Sequence, residues 1–294
     1  MNYILGSGIT SLILKVYLKN YKIIGNKLGG QLSSCFQLGP RILKKTQYTE
    51  DFFKRINYYP ELKTYKIGYY YADKIHSMCD IENRCRYFTK TRGTCLLLSE
   101  SSMNDGLNVM NGYDLDDLML IKIIESIDKK DLIEENIISI DIKKSRIFTY
   151  NNIYKYNKII NTIPVEDLVS LLNIFYRLEV NYISVIFLLL DKKYFNIDLK
   201  DFDFVYFTDY KYAFHRVTNL NRFLCIEVRK DRISEIDEKI LKKSKKFLFK
   251  RGILVDDKNY DNIEDIECIG RYAQVSHKIR SHNVIQKALE MSNE

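Results

Sequence analysis

The chain has 294 residues, 46% hydrophobic and 29% charged, with a formal net charge of +8. This is ordinary composition for a soluble globular protein of two joined domains or one large one. Its longest apolar run, Ile183–Leu190 interrupted by Ser184, is too short for a bilayer-spanning helix and so excludes that class. The positive charge would favour an anionic substrate or a nucleic acid, yet the lysines are scattered through helices and turns and read as a solvated surface. No signal peptide is evident ahead of the first strand, and a cytoplasmic location is expected.

Asn2–Leu5 is a short apolar run, followed at once by Gly6-Ser7-Gly8-Ile9-Thr10-Ser11. A helical pattern continues to about Asn20, and Lys22–Ile24 reads as a second strand. Strand, glycine turn, helix, strand is the opening of a dinucleotide-binding unit. Gly6 permits the tight turn, Gly8 lets the backbone approach a pyrophosphate at the helix N-terminus, and Ser11 fills the third small position. A glycine turn that binds nothing is the alternative. Where an acidic residue normally takes the ribose hydroxyls stands Gly25-Asn26-Lys27, so Asn26 meets a ribose only as a neutral partner.

Further on, Gly29-Gly30-Gln31 and Gly39-Pro40-Arg41 mark two tight turns. Glu50–Ile56 reads as a short helix, and Lys63–Tyr71 with an Asp73-Lys74 turn reads as a hairpin into Ile75. A helix is expected over Asp114–Ile127. Strands follow at Ile137–Ile142, Arg146–Tyr150 and Lys158–Asn161, then a helix over Val165–Phe175. Tyr182–Leu190, Phe204–Phe207 and Phe223–Val228 read as strands. Glu235–Arg251 reads as a charged helix, Ile263–Ile269 as a strand leading into Gly270, and Ser281–Met291 as the closing helix. Turn signals also fall at Asn104-Asp105-Gly106. The six cysteines form no CxxC pair and no zinc-spaced cluster, so they read as reduced thiols, and no metal site is expected.

Six of these stretches together resemble the flavin amine oxidase superfamily, in its wing holding UDP-galactopyranose mutase and protoporphyrinogen-oxidase-like proteins. Gly6-x-Gly8-x-x-Ser11 resembles that group's FAD fingerprint, and Gly29-Gly30-Gln31 its Gly-Gly-Arg turn. Gly39-Pro40-Arg41 sits where the mutases have Gly-Pro-His. Tyr156–Pro164 is similar to the strand running into a Thr-x-Pro turn, and Phe214-His215-Arg216-Val217-Thr218 to a "Phe/Tyr-x-Arg-Val-Thr" segment. Ile269-Gly270-Arg271-Tyr272-Ala273 is similar to the C-terminal Gly-Arg motif.

The resemblance implies an α/β fold, a Rossmann-like FAD-binding domain of the glutathione-reductase/amine-oxidase type with an inserted β-rich substrate domain. The FAD domain would be discontinuous, over 1–75, 130–180 and 255–294, with 76–129 and 181–254 as the substrate domain. FAD would be held by Gly6, Gly8, Ser11, Asn26, Gly29, Gly30, Gln31, Gly39, Pro40, Gly270 and Arg271. Arg41, Arg216 and Arg222 would contact a small-molecule substrate, anionic or nucleotide-linked, and His215 with Arg216 would act in catalysis. For His215 a packed interior role is the alternative, and for the arginines an ion pair. The activity implied is hydride transfer from a substrate to flavin. The alternatives are a mutase-like isomerisation, modification of nucleotides or DNA bases, and a non-catalytic binding module that keeps the fold. A homo-oligomer is compatible with all of them.

Overall fold

The computed structural model describes residues 1–30, 38, 41–95, 109–174, 178–199, 201–277 and 279–293. Gln31, Gly39, Pro40 and the Asn104-Asp105-Gly106 turn lie outside the described residues.

In chain order the first half comprises β1 (Asn2–Leu5), α1 (Ile9–Tyr17), β2 (Tyr21–Gly25), β3 (Ile42–Lys44), α2 (Gln47–Arg55), β4 (Lys63–Tyr71), β5 (Lys74–His76), α3 (Ile81–Arg92), β6 (Val109–Asp114) and α4 (Asp117–Glu125). Then come β7 (Leu132–Glu134), β8 (Ile137–Asp141), β9 (Arg146–Thr149), β10 (Ile153–Lys155), β11 (Lys158–Asn161) and α5 (Val165–Leu171). The remainder holds β12 (Tyr182–Asp191), β13 (Phe204–Phe207), β14 (Phe214–Leu220), β15 (Phe223–Arg229), α6 (Glu238–Lys243), β16 (Lys245–Leu254), β17 (Asn262–Ile263), β18 (Ile266–Cys268), α7 (Arg271–Gln274) and α8 (Ser281–Ser292).

A six-stranded sheet runs β17-β18-β11-β1-β2-β7, drawing strands from both ends and the middle of the chain. Its strands are parallel except for the β17–β18 hairpin. A parallel sheet is covered on both faces, which is why β1 and β2 are nearly all apolar. Ile4 and Ile23 pack on one side with Leu12, Ile13 and Val16 of α1 and Val284 and Ile285 of α8. Tyr3, Leu5 and Ile24 face the other side, against Val165 and Leu168 of α5 and Ile140 and Ile147 of the small β10-β9-β8 sheet. Inside the first layer, Lys15 is only 2% exposed and its ammonium pairs with Asp131 at 2.9 Å.

The second large sheet has nine strands, ordered β16-β12-β15-β14-β13-β4-β6-β3, with β5 hydrogen-bonded to β4. The expected β4–β5 hairpin is present, with Ala72 and Asp73 both at positive φ (49° and 60°), the backbone sense that suits a tight two-residue connection. β13 pairs parallel to β4, while β12 through β16 are antiparallel. Tyr65, Ile67, Tyr69, Phe204 and Tyr206 line one face under Tyr87 and Phe88 of α3, and Tyr70, Val205, Phe207 and Val217 line the other.

Three expectations are corrected. The helix over Glu235–Arg251 stops at Lys243, and the rest is strand β16. The lysine run suits a helix, but Phe247 and Phe249 alternate and pair with Phe187 and Val185 of β12. The helix expected from Asp114 begins at Asp117, because Asp116 caps it by accepting from the Met119 N–H and Asp114 ends strand β6. Finally, Cys85 and Cys95 are joined in a disulfide, while Cys79 and Cys268 are free and buried. Gly93, left-handed at φ 83°, turns the chain after α3 so that Cys95 returns beside the helix.

Candidate functional site

At the carboxyl end of β1 the chain turns through Gly6, whose φ of 95° and N–H bond to the Ile24 carbonyl (2.8 Å) set the direction into α1. A Cβ on Gly6 would lie 2.7 Å from Ile163 Cγ2 and 2.9 Å from Thr162 Oγ1, so the turn is closed from behind. Thr162 donates to the Leu5 carbonyl at 2.6 Å, and its oxygen is 2.6 Å from Ser11 Oγ, which therefore donates to it. Ser7 plays the same part on the other side, donating to the Lys27 carbonyl (2.6 Å) and accepting the Lys27 N–H (3.2 Å).

Gly8 begins α1 with no side-chain cap, which leaves first-turn N–H groups available to an anion. A Cβ at Gly8 would meet nothing within 4 Å, so the space in front of the turn is open. Gly29 bridges Gly8 in parallel fashion and donates to the Ser7 carbonyl at 2.8 Å. Gly30 closes up behind, where a Cβ would sit 3.0 Å from Gly8 Cα. Gly270 arrives from the far end of the chain, and a Cβ there would lie 3.0 Å from Thr10 Cγ2. Five glycines and Ser11, separated by up to most of the chain length, are thus one backbone cradle. These residues fit a dinucleotide pyrophosphate: the helix end is uncapped, the space before Gly8 is open, and Gly30 admits no bulk behind it.

Arg271 follows Gly270 directly. Its Nε donates to the Ile279 carbonyl at 3.3 Å, and its guanidinium is reached by solvent. Desolvation by the surrounding protein lowers its pKa, and the positive charges of Arg280 and Arg216 lower it further. Arg92 of α3 is depressed by burial and also feels Arg271. Arg41 is held by the Leu38 carbonyl at 3.1 Å and lies over the Phe249 ring. It lines a cavity of about 390 Å³ with Tyr65, Phe204, Thr218 and Asp114.

Arg216 of β14 makes a bidentate pair with Glu227 of β15, at 2.6 and 2.7 Å. A register shift between Phe214 and Arg216 marks a bulge, and it re-aims adjacent side chains: His215 Nε2 also comes within 3.6 Å of Glu227. Burial alone would raise the Glu227 carboxyl, but Arg216 and His215 outweigh it and hold it well below its usual range. Burial lowers His215 against the pull of Glu227, which leaves the imidazole neutral at neutral pH. Its Nδ1 and the Thr218 hydroxyl are buried without a hydrogen-bond partner among the described residues.

The fold therefore brings Gly6, Gly8, Ser11, Gly29, Gly30, Gly270 and Arg271 together, and Arg216 with His215. Asn26 is exposed at the end of β2. Arg222 stands apart at the β14–β15 hairpin tip, 75% exposed and 3.4 Å from Asp191. Sequence reasoning missed Glu227, whose only sign was an acid within an apolar strand, and the braces supplied by Ser7 and the Thr162 hydroxyl.

No family model and no curated protein matches the chain. Solved structures do. A reduced UDP-galactopyranose mutase superposes with a TM-score of 0.69 at 12% identity, covering 99% of this chain and 93% of that one. A CLA-producing fatty acid isomerase from P. acnes gives 0.70 at 8% identity, with 99% and 97% covered. Cyclohexylamine oxidase from Brevibacterium oxydans gives 0.66 at 7% identity, again with 99% and 97% covered. The chain shares the fold of these proteins, a Rossmann-like unit with a parallel sheet and a β-rich insert. Among the described residues no helix is long and apolar enough to cross a membrane.

Proposed function

We propose that the protein is an FAD-dependent oxidoreductase of this fold, taking hydride from a small substrate. The observation that carries this reading is the cradle at Gly8: an uncapped helix end, open space in front, and Gly30 packed behind. Gly6, Gly8, Ser11, Gly29 and Gly30 would hold the pyrophosphate, with Asn26 near the ribose and Gly270 and Arg271 closing over the phosphates. The flavin supplies the redox chemistry, and the protein positions the substrate against it.

The cations Arg41, Arg271 and Arg216 would suit an anionic or nucleotide-linked substrate. Arg216 is already paired in bidentate fashion with Glu227, so its role would be to orient rather than to capture. His215, buried with Nε2 3.6 Å from Glu227 and Nδ1 without a partner among the described residues, is the candidate for proton transfer. Arg222 receives no part. Segments 1–75, 130–180 and 255–294 would form the FAD unit, with β4 at its border joined to the other sheet, and 76–129 and 181–254 the substrate unit.

The visible spectrum of the purified protein tests this. Bands near ~370 and ~450 nm, the positions of oxidised flavin, with FAD released on denaturation, are expected. A colourless protein that takes up no added FAD would leave only the non-catalytic reading.

A further inference from the structure

In dinucleotide-binding units an acid at the end of the second strand usually receives the adenosine ribose. Here that strand ends in Gly25, where a Cβ would lie 2.8 Å from the Ser7 nitrogen and 3.0 Å from the Gly6 carbonyl carbon. Position 25 thus admits no side chain without displacing the glycine turn. The loop beyond it is fixed by Ser7 bonding both backbone groups of Lys27, and it contains no carboxylate.

We infer that Glu134, at the end of β7, supplies the missing carboxylate to the adenosine ribose diol. β7 runs parallel to β2, with Ile23 opposite Leu132, Ile24 opposite Ile133 and Gly25 opposite Glu134. Paired residues share a face of the sheet, and the packing fixes which: Ile24 and Ile133 lie in the core on the α5 side, Ile23 and Leu132 in the core under α1. Glu134 therefore leaves the sheet on the α1 side, one strand spacing, roughly 4.8 Å, from Gly25.

Glu134 is exposed, and its carboxylate takes no hydrogen bond or ion pair among the described residues. Its neighbour Glu135 is the opposite, accepting from Thr149, Asn152 and Tyr154. One of two consecutive glutamates fixes the chain, while the other is left free at the carboxyl edge of a parallel sheet, where ligands of such sheets bind. A carboxylate accepts from two vicinal hydroxyls at once, and charge-assisted bonds of this kind are the strong ones.

This inference rests on the flavin reading, and one experiment separates the two. Wild type, Glu134→Gln and Asn26→Ala are titrated with FAD, with ADP, and with 2′,3′-dideoxy-ADP. Glu134→Gln is expected to weaken FAD and ADP about tenfold or more and to leave the dideoxy nucleotide unchanged, while Asn26→Ala costs less. Equal FAD affinity in wild type and Glu134→Gln, or an equal loss for the dideoxy nucleotide, overturns the assignment. Wild type that binds none of the three overturns the flavin reading itself, and this inference with it. The apo proteins' thermal midpoints, expected to coincide because the exchange is isosteric and exposed, guard against a folding artefact.

Discussion

The end of the parallel sheet is built from what is left out. α1 starts without a cap, Gly8 faces open space, and the side chains nearby, Ser7, Ser11 and Thr162, are spent on fixing backbone. The floor of the nine-stranded sheet is built from what is put in. Arg216 and Glu227 pair with each other beside His215, Tyr87 and Tyr206, so the charges of this pair are balanced before any ligand arrives. If flavin binds as proposed, the first region is a preformed receptor for an anion, while the second is an internally paired wall. Substitutions should therefore cost stability in the wall and affinity in the receptor.

The largest effect is expected from Glu227→Gln. Glu227 is 4% exposed and the Arg216 side chain 23%, so removing the carboxylate strands a largely buried guanidinium. Breaking one side of such a pair costs about 3 kcal/mol, measurable as a lower urea midpoint at unchanged slope. A loss below about 1 kcal/mol would mean that the wall is not held by this pair.

A matched pair of glycine variants sharpens the contrast next. Gly6→Ala forces a Cβ at φ 95° and within 2.7 Å of Ile163, and should destabilise by about 2 kcal/mol. Gly8→Val should leave stability within about 0.5 kcal/mol, since φ there is −78° and nothing stands in the way, yet abolish flavin uptake. If Gly8→Val binds FAD as wild type does, the open space is not the receptor.

The packing of the glycine turn was legible in the sequence because its physics is local. Gly6, Gly8 and Ser11 fall within one turn, and Gly29-Gly30 and Gly270-Arg271 carry short-range turn signals that the fold then gathers. The wall was not legible. Glu227 gains its meaning only from the β14–β15 register, and that register contains a bulge at His215 that no residue pattern announces. β14 itself went unread as a strand for the same reason, and β16 was taken for helix because its stabilising partner, β12, lies far away in sequence. The Cys85–Cys95 bridge likewise depends on the reversal at Gly93, a backbone fact that spacing does not encode.

The smallest effect concerns two histidines, one in each region. Burial first, then Arg280 and Lys44, lowers the pKa of His282 on α8 to about 4. The unfolded chain takes up that proton near pH 6.5. Between about pH 6.5 and 4 the unfolded state thus binds more protons than the folded one, so stability is complete above this window and falls as the pH drops through it. Glutamine at 282 does not titrate, and His282→Gln should reduce the difference in unfolding free energy between pH 7 and pH 4.5 by on the order of 2 kcal/mol. His215→Gln should flatten the curve less. Burial lowers His215 too, but the Glu227 carboxylate beside it opposes that shift, whereas Arg280 and Lys44 reinforce it at His282. Equal flattening by the two variants would mean that Glu227 does not offset the desolvation of His215, and that the charges of the wall are not balanced from within.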